Sequence, residues 1–166
     1  MKRTWTYCFT LLTLLMGVSS CDNNTLLHQY SPIHQQIWNK TDTLDIPFPE
    51  LPNDTTAQVF LCMRKKSQLP LKGVWIVVEQ DFTNPDFKKR DTVYCRLMND
   101  KGQPVGKGIN NIVSEYEAGD LHYQKKQQGK FRIYHIMRSE YIRGITDIGL
   151  RIIALPDSVR HQSAGK

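Results

Sequence analysis

Apolar and polar residues alternate with a period of two along much of this chain, and no segment of any length carries the 3.6-residue period of an amphipathic helix. Leu44, Ile46 and Phe48 alternate with Asp45 and Pro47. That pattern predicts a half-buried strand, and the proline, which has no N–H to give to a ladder, places it at a sheet edge. Residues 57–64 and 73–80 are apolar on both faces and predict central strands of a two-layer structure, with Trp75 buried in the second. A charged loop over 82–90, around Asn84-Pro85-Asp86, leads to a further alternating run at 92–98. In Asn99-Asp100-Lys101-Gly102 the first two residues open a turn and the glycine takes the positive φ that closes it, so 105–108 return as the Gly-rich strand of a hairpin. Residues 112–116 and 121–124 predict two short strands on either side of Ala118-Gly119-Asp120. The strongest strands are 130–137 and 147–153, with a helical turn over 139–144 between them. Seven or eight short strands with near-regular turn signals predict an all-β antiparallel β-sandwich, jelly-roll or Ig-like.

Both ends of the chain depart from this pattern. Lys2 and Arg3 are followed by an uncharged, mostly apolar run from Trp5 to Val18, the layout of a secretory signal peptide over 1–20. The run is short of the ~20 apolar residues of a spanning helix. It closes on Val18-Ser19-Ser20-Cys21, a bacterial lipobox, which makes Cys21 the lipidated first residue of the mature protein. Each buried acyl methylene contributes about 0.8 kcal/mol to membrane attachment. The expected location is the cell envelope, anchored by lipid to the outer or inner membrane, with the periplasmic side favoured. Residues 21–40 are polar and turn-rich and read as the lipidated N-terminus and a tether, with Tyr30, Ile33 and Trp38 the first to dock on a core. The sandwich domain then runs over 41–156, and 157–166 form a frayed tail.

Composition excludes more than it assigns. Without the leader, 146 of the 166 residues remain, one domain's worth, with 20 Lys and Arg against 16 Asp and Glu. This mild positive balance comes from turn-flanked clusters at 64–66, 88–90 and 125–126 that lack interleaved aromatics, so nucleic acid is not an expected partner. Cys62 and Cys95 remain; export permits a disulfide between them, which the sequence leaves open, and two separate buried thiols are the favoured reading. The five histidines, His28, His34, His122, His135 and His161, make no metal-ligand spacing. Gly102, Gly106 and Gly108 lack the lysine and helix of a phosphate loop. His135 shares a strand face with Phe131 and Ile133 and reads as a packed core histidine, and Glu115 and Asp147 have no positional argument as a catalytic pair. No catalytic residue, cofactor or metal is predicted.

A lipobox, Tyr30 and Trp38 ahead of the first strand, and Asp42-Thr43-Leu44 are followed by Asp91-Thr92-Val93 and by Leu-x-x-x-x-Gly-x-x-x-Gly-x-Gly from Leu97 to Gly108. The chain then carries Gly129-Lys-Phe-Arg-Ile-Tyr-His-Ile-Met137-Arg138 and Gly144-Ile-Thr-Asp-Ile-Gly149-Leu-Arg151. This order resembles the gliding-motility lipoprotein GldH family of Bacteroidetes over nearly the whole mature chain. It departs from that pattern where Leu69 and Leu71 replace aromatics around Pro70 and where Pro104 stands in place of a Trp. The resemblance implies a non-enzymatic accessory or assembly lipoprotein that meets envelope proteins of the gliding and secretion machinery. Membership does not by itself imply motility.

The densest part of the resemblance, the loop between the last two strands, contains Arg138, Arg143 and Asp147, which have no evident core duty and form the candidate interface. The plainer expectation is an ion pair between Arg138 and Asp147. The alternative function is a glycan-binding module that stacks sugars on aromatics among Trp38, Trp75, Tyr94, Tyr116, Tyr123 and Tyr134. Asp-Thr or Asp-Ser steps at Asp42, Asp54, Asp91 and Asp157 also resemble the periplasmic O-glycosylation signal of the same bacteria. Ordinary turns and strand starts explain each of them equally well.

Overall fold

The structure, a computed structural model, describes residues 24–156. Cys21, the leader and the 157–166 tail lie outside the described residues. Ten strands follow in order: β1 (Thr25–Pro32), β2 (Ile37–Asn39), β3 (Leu44–Phe48), β4 (Thr55–Lys66), β5 (Gly73–Thr83), β6 (Phe87–Arg96), β7 (Asn111–Tyr123), β8 (Gln128–His135), β9 (Tyr141–Arg143) and β10 (Ile145–Ala154). They form two four-stranded sheets ordered β1-β10-β4-β7 and β3-β8-β5-β6, with β2 and β9 as a small separate pair. Every ladder is antiparallel. With the short pair set aside, the eight remaining strands follow the jelly-roll order, first-eighth-third-sixth facing second-seventh-fourth-fifth. Of the two predicted sandwich types, the pairing therefore selects the jelly roll.

Alternation places the core between the sheets. Val59, Leu61 and Met63 of β4 and Ile148, Leu150 and Ile152 of β10 meet Val74, Ile76 and Val78 of β5 and Phe131 and Ile133 of β8, all essentially without solvent exposure. At one end of the sandwich Phe48, Phe82, Phe131 and Tyr123 pack ring against ring, with centroids 5.6 to 6.4 Å apart. The predicted central strands, β4 and β5, are central, and Pro47 lies on the edge strand β3, as its missing N–H requires.

Five local expectations are corrected. Residues 25–32, read as tether, form β1 and pair along β10 from Ile153 to Asp147. An edge strand is held by its backbone ladder and by one neighbour, so its polar composition did not reveal it. The 82–90 loop shrinks to a tight turn, because Lys88 and Arg90 lie on an outward row where Asp81 and Glu79 oppose them. The turn at 99–102 is present, with the Gly102 N–H donating to the Asn99 carbonyl, but 105–108 form no strand: an isolated bridge joins Met98 to Pro104 just before them, and another joins Lys107 to Val113. The two short strands around Ala118 are one strand, β7, interrupted by a bulge opposite the step from Gln58 to Phe60. There Gly119 has φ +89, and a side chain on it would meet the Asp91 carboxylate. Residues 139–144 are not helical: β9 pairs with β2, setting Ile142 opposite Trp38. Trp38 is fully buried and donates its Nε1–H to the Asp42 carbonyl at 3.1 Å.

Candidate functional site

The outer face of the β3-β8-β5-β6 sheet is divided in two. Towards the Thr83 end of β5 it is a lattice of opposite charges: Arg90 pairs with Glu79 at 2.9 Å, Arg132 lies 3.6 Å from Glu79 and 3.7 Å from Asp45, and Lys88 lies 3.4 Å from Asp81. Across the strands these residues stand in register, so each charge meets its opposite on the neighbouring strand. The half towards Gly73 carries an apolar row instead. Tyr94 of β6 stands opposite Trp75 of β5, and the Ile136 N–H donates to the Trp75 carbonyl from the other side. These three side chains are 47%, 46% and 46% exposed.

The row is a built feature and more than three stray hydrophobes. The Trp75 and Tyr94 rings are 4.8 Å apart and tilted by 47°. Tyr94 lies over Gly73, where any Cβ would stand 2.3 Å from its hydroxyl oxygen, so the absent side chain of Gly73 makes room for the ring. The Trp75 N–H points to the Met137 Sδ at 3.4 Å. Met137 in turn lines a shallow, mainly apolar groove of about 260 Å³ with Leu69, Pro70, Leu71, Tyr141 and Ile142. On the far side of Tyr94 a more polar cleft of about 530 Å³ is bounded by Lys72, Arg96, Met98 and the 99–102 turn.

The predicted interface residues are spread across this region. Arg143 lines the apolar groove and lies over the Tyr141 ring, its Cζ 4.9 Å from the centroid. Arg138 is exposed in the bend after β8. Asp147 belongs to the other sheet, on β10 between Pro32 and Arg64, where its carboxylate accepts from the Thr146 hydroxyl at 2.7 Å. No ion pair joins Arg138 to Asp147 among the described residues. Trp75, expected to be buried, is the centre of the exposed row. The period of two reveals why: it is out of phase with Val74, Ile76 and Val78 and in phase with Glu79 and Asp81, which face solvent-side partners. Ile136 carries the same signal, out of phase with Phe131, Ile133 and His135, whereas the groove formed by β9 had none, because it depends on a pairing between residues about a hundred positions apart.

The other singled-out residues are structural. His135 is buried, its Nε2 3.2 Å from the Trp38 carbonyl and its ring edge-on to the indole at 5.2 Å. Cys62 and Cys95 are both buried and free, and burial pushes their thiols up to about 11 and about 12. Tyr123 and Trp38 belong to the core, Tyr116 donates to the Arg96 carbonyl at 2.7 Å and Tyr134 is half-buried, so of the six aromatics Trp75 and Tyr94 are the exposed ones. Of the Asp-Thr steps, Thr43 and Thr92 are exposed and Thr55 is partly covered. The step at Asp157 lies outside the described residues.

Among the described residues no three His, Cys, Asp or Glu side chains gather as a metal ion would require, and no helix is long and apolar enough to cross a membrane. No curated protein matches the chain. Among solved structures, that of Eiger TNF from S. frugiperda aligns with 81% of this chain and 95% of its own length, at 8% identity and a TM-score of 0.39, too distant a likeness to carry any argument. The profile of the GldH lipoprotein family matches residues 25–152, most of the sequence, and the chain belongs to that family of gliding-motility-associated lipoproteins.

Proposed function

We propose that this lipoprotein is a non-enzymatic accessory component of the envelope machinery, held to a membrane by lipid on Cys21, and that it docks another envelope protein through the Tyr94–Trp75–Ile136 row and the adjoining groove. The observation that carries this reading is the division of one sheet face into a charge-paired half and an unpaired apolar half. Aromatic side chains that stay half-exposed on a rigid strand are the kind of anchor that dominates protein interfaces. Arg143, at the groove's rim, supplies a polar contact of the sort that surrounds such anchors.

The test is photo-crosslinking in intact cells from position 141, beside the row. A discrete adduct with one envelope protein is expected. Trp75→Ala combined with Ile136→Asp should reduce it by roughly tenfold or more, as loss of an anchor worth about 2 kcal/mol implies. An adduct unchanged by both substitutions, with the protein folded and secretion unaffected, would sink the reading.

A second reading has its own support. Tyr94 borders the cleft of Lys72, Arg96, Asn99 and Asp100 and packs against Trp75, so an aromatic face and hydrogen-bonding groups adjoin as they do in saccharide sites. A glycan array separates the two: specific binding abolished by Tyr94→Ala would favour the module, and a blank array favours the protein partner.

A further inference from the structure

The described chain begins at the sandwich itself. The Ala154 N–H donates to the Asn24 carbonyl at 2.8 Å, so Asn24 is already tied to the end of β10. Three residue steps separate Asn24 from Cys21, and fully extended they reach at most about 11 Å. The sandwich is much taller than this, since the 11 residues of β5 alone rise roughly 33 Å. A lipid on Cys21 would therefore act on one pole of the fold through a leash shorter than the fold.

Contacts define which groups share that pole. Leu155 donates to the Thr56 carbonyl, the Lys125 N–H to the Asp54 carboxylate at 2.7 Å, the Leu51 N–H to the Tyr123 hydroxyl, and the Gln127 side-chain amide to the Pro85 carbonyl. The two loops that join the sheets here, with the β5–β6 turn, thus expose Asn53, Asp54, Asn84, Gln124, Lys125 and Lys126. This surface is polar, of mixed charge and without an exposed large apolar side chain. All six large hydrophobic residues that are exposed among the described residues lie towards the other pole: Trp75, Tyr94, Ile109, Val113, Ile136 and Tyr141. Val113 stands opposite Arg64 near the end of β4, and Asn110, next to Ile109, accepts from Ser67.

We propose that the Asn53–Lys126 pole rests on the phospholipid headgroups of the bilayer that holds Cys21, and that the apolar row faces away from that membrane. The proposal rests on the lipidation of Cys21. A wettable, near-neutral end suits contact with headgroups, while an apolar row sited there would be covered by the bilayer and closed to a protein. Trp75 is eight residues along β5 from Thr83, about 26 Å of strand. The docking partner accordingly meets this protein from the aqueous side, at a height set by the sandwich and not by a flexible stalk.

The experiment uses the full-length lipidated protein, reconstituted in phosphatidylethanolamine–phosphatidylglycerol vesicles that contain a paramagnetic headgroup quencher. Fluorophores are placed on Lys126→Cys or Asn53→Cys at one pole and on Ser139→Cys or Asp100→Cys at the other, the buried Cys62 and Cys95 being replaced by Ser. Quenching several-fold stronger at positions 126 and 53 than at 139 and 100 is expected. A 20-residue Gly-Ser insertion before Asn24 should bring the poles to within about twofold. The intact mass of the same sample reports lipid on Cys21. Lipid present with equal quenching at both poles overturns the orientation alone, and a difference that survives the insertion overturns the short leash as its cause. A mass without lipid overturns the anchoring reading and the orientation with it.

Discussion

His135 occupies the seam where the β2–β9 pair meets the sandwich, with its Nε2 on the Trp38 carbonyl and its Nδ1 without a partner. Burial pushes its pKa below the ordinary 6.5 and nearby Lys40 acts the same way, against the opposing pull of the Trp38 carbonyl and of Asp42. The folded state thus holds the imidazole neutral where the unfolded chain takes up a proton. Stability is full above pH 6.5 and falls as pH drops through 6.5 towards the lower folded value. The urea midpoint should be lower at about pH 5.5 than at about pH 7.5, and His135→Phe should shrink that difference. An identical pH dependence in the two proteins would contradict the assignment. Gly73 acts at the same scale but on the surface. Gly73→Ala places a methyl against the mobile end of Tyr94, so the ring swings away and the fold survives with a loss of about 1 kcal/mol or less. The Trp75 fluorescence spectrum should shift and the crosslink from position 141 should weaken; an unshifted spectrum would show that the ring pair is not coupled as described.

At the scale of the element, β7 shows how a single backbone requirement reshapes a strand. Gly119 takes φ +89 to form the bulge, and its missing Cβ leaves room for the Asp91 carboxylate, 2.7 Å from where that atom would stand. Gly102 also has positive φ, at +73, but nothing lies near it. Gly119→Ala should therefore cost about 1–3 kcal/mol and clearly more than Gly102→Ala, as read from urea unfolding. Equal losses would mean that strain in φ alone decides both. The bulge also explains why β7 resembles two strands in the sequence: Ala118-Gly119-Asp120 carries turn chemistry, and only the continuous ladder with β4 shows that the chain does not turn there. For β1 the reasoning is similar. Its side chains are only partly covered, and the ladder to β10 holds it.

On the scale of the whole molecule, the core holds itself together without a crosslink. Cys62 and Cys95 are buried and separate, with thiols pushed well above neutral pH. The thermal midpoint should be the same with and without a reducing agent, and a drop of several degrees on reduction would reveal a disulfide that the structure does not contain. The gathering of the exposed large apolar side chains away from the Asn24 pole has no counterpart in any single strand. It arises because the jelly roll reverses direction at each crossing, so residues from β5, β6, β8 and β9 that are far apart in sequence collect at one end.

The sequence by itself determined the all-β class, the central place of β4 and β5, the edge position of Pro47 and the 99–102 turn, because period-two burial, proline's missing N–H and turn-specific residues are local causes. It also placed His135 and Trp38 in the core, while the separation of the two thiols came from the structure. Only the tertiary structure decided that β1 is a strand and not a tether, that β9 pairs with β2, and that the outward face at Trp75 stays uncovered. Those outcomes depend on which segments become neighbours, and an edge ladder or an outward row leaves little hydrophobic signature along the chain. The apolar row is a product of that kind: Tyr94, Trp75 and Ile136 become one surface only when three strands lie side by side.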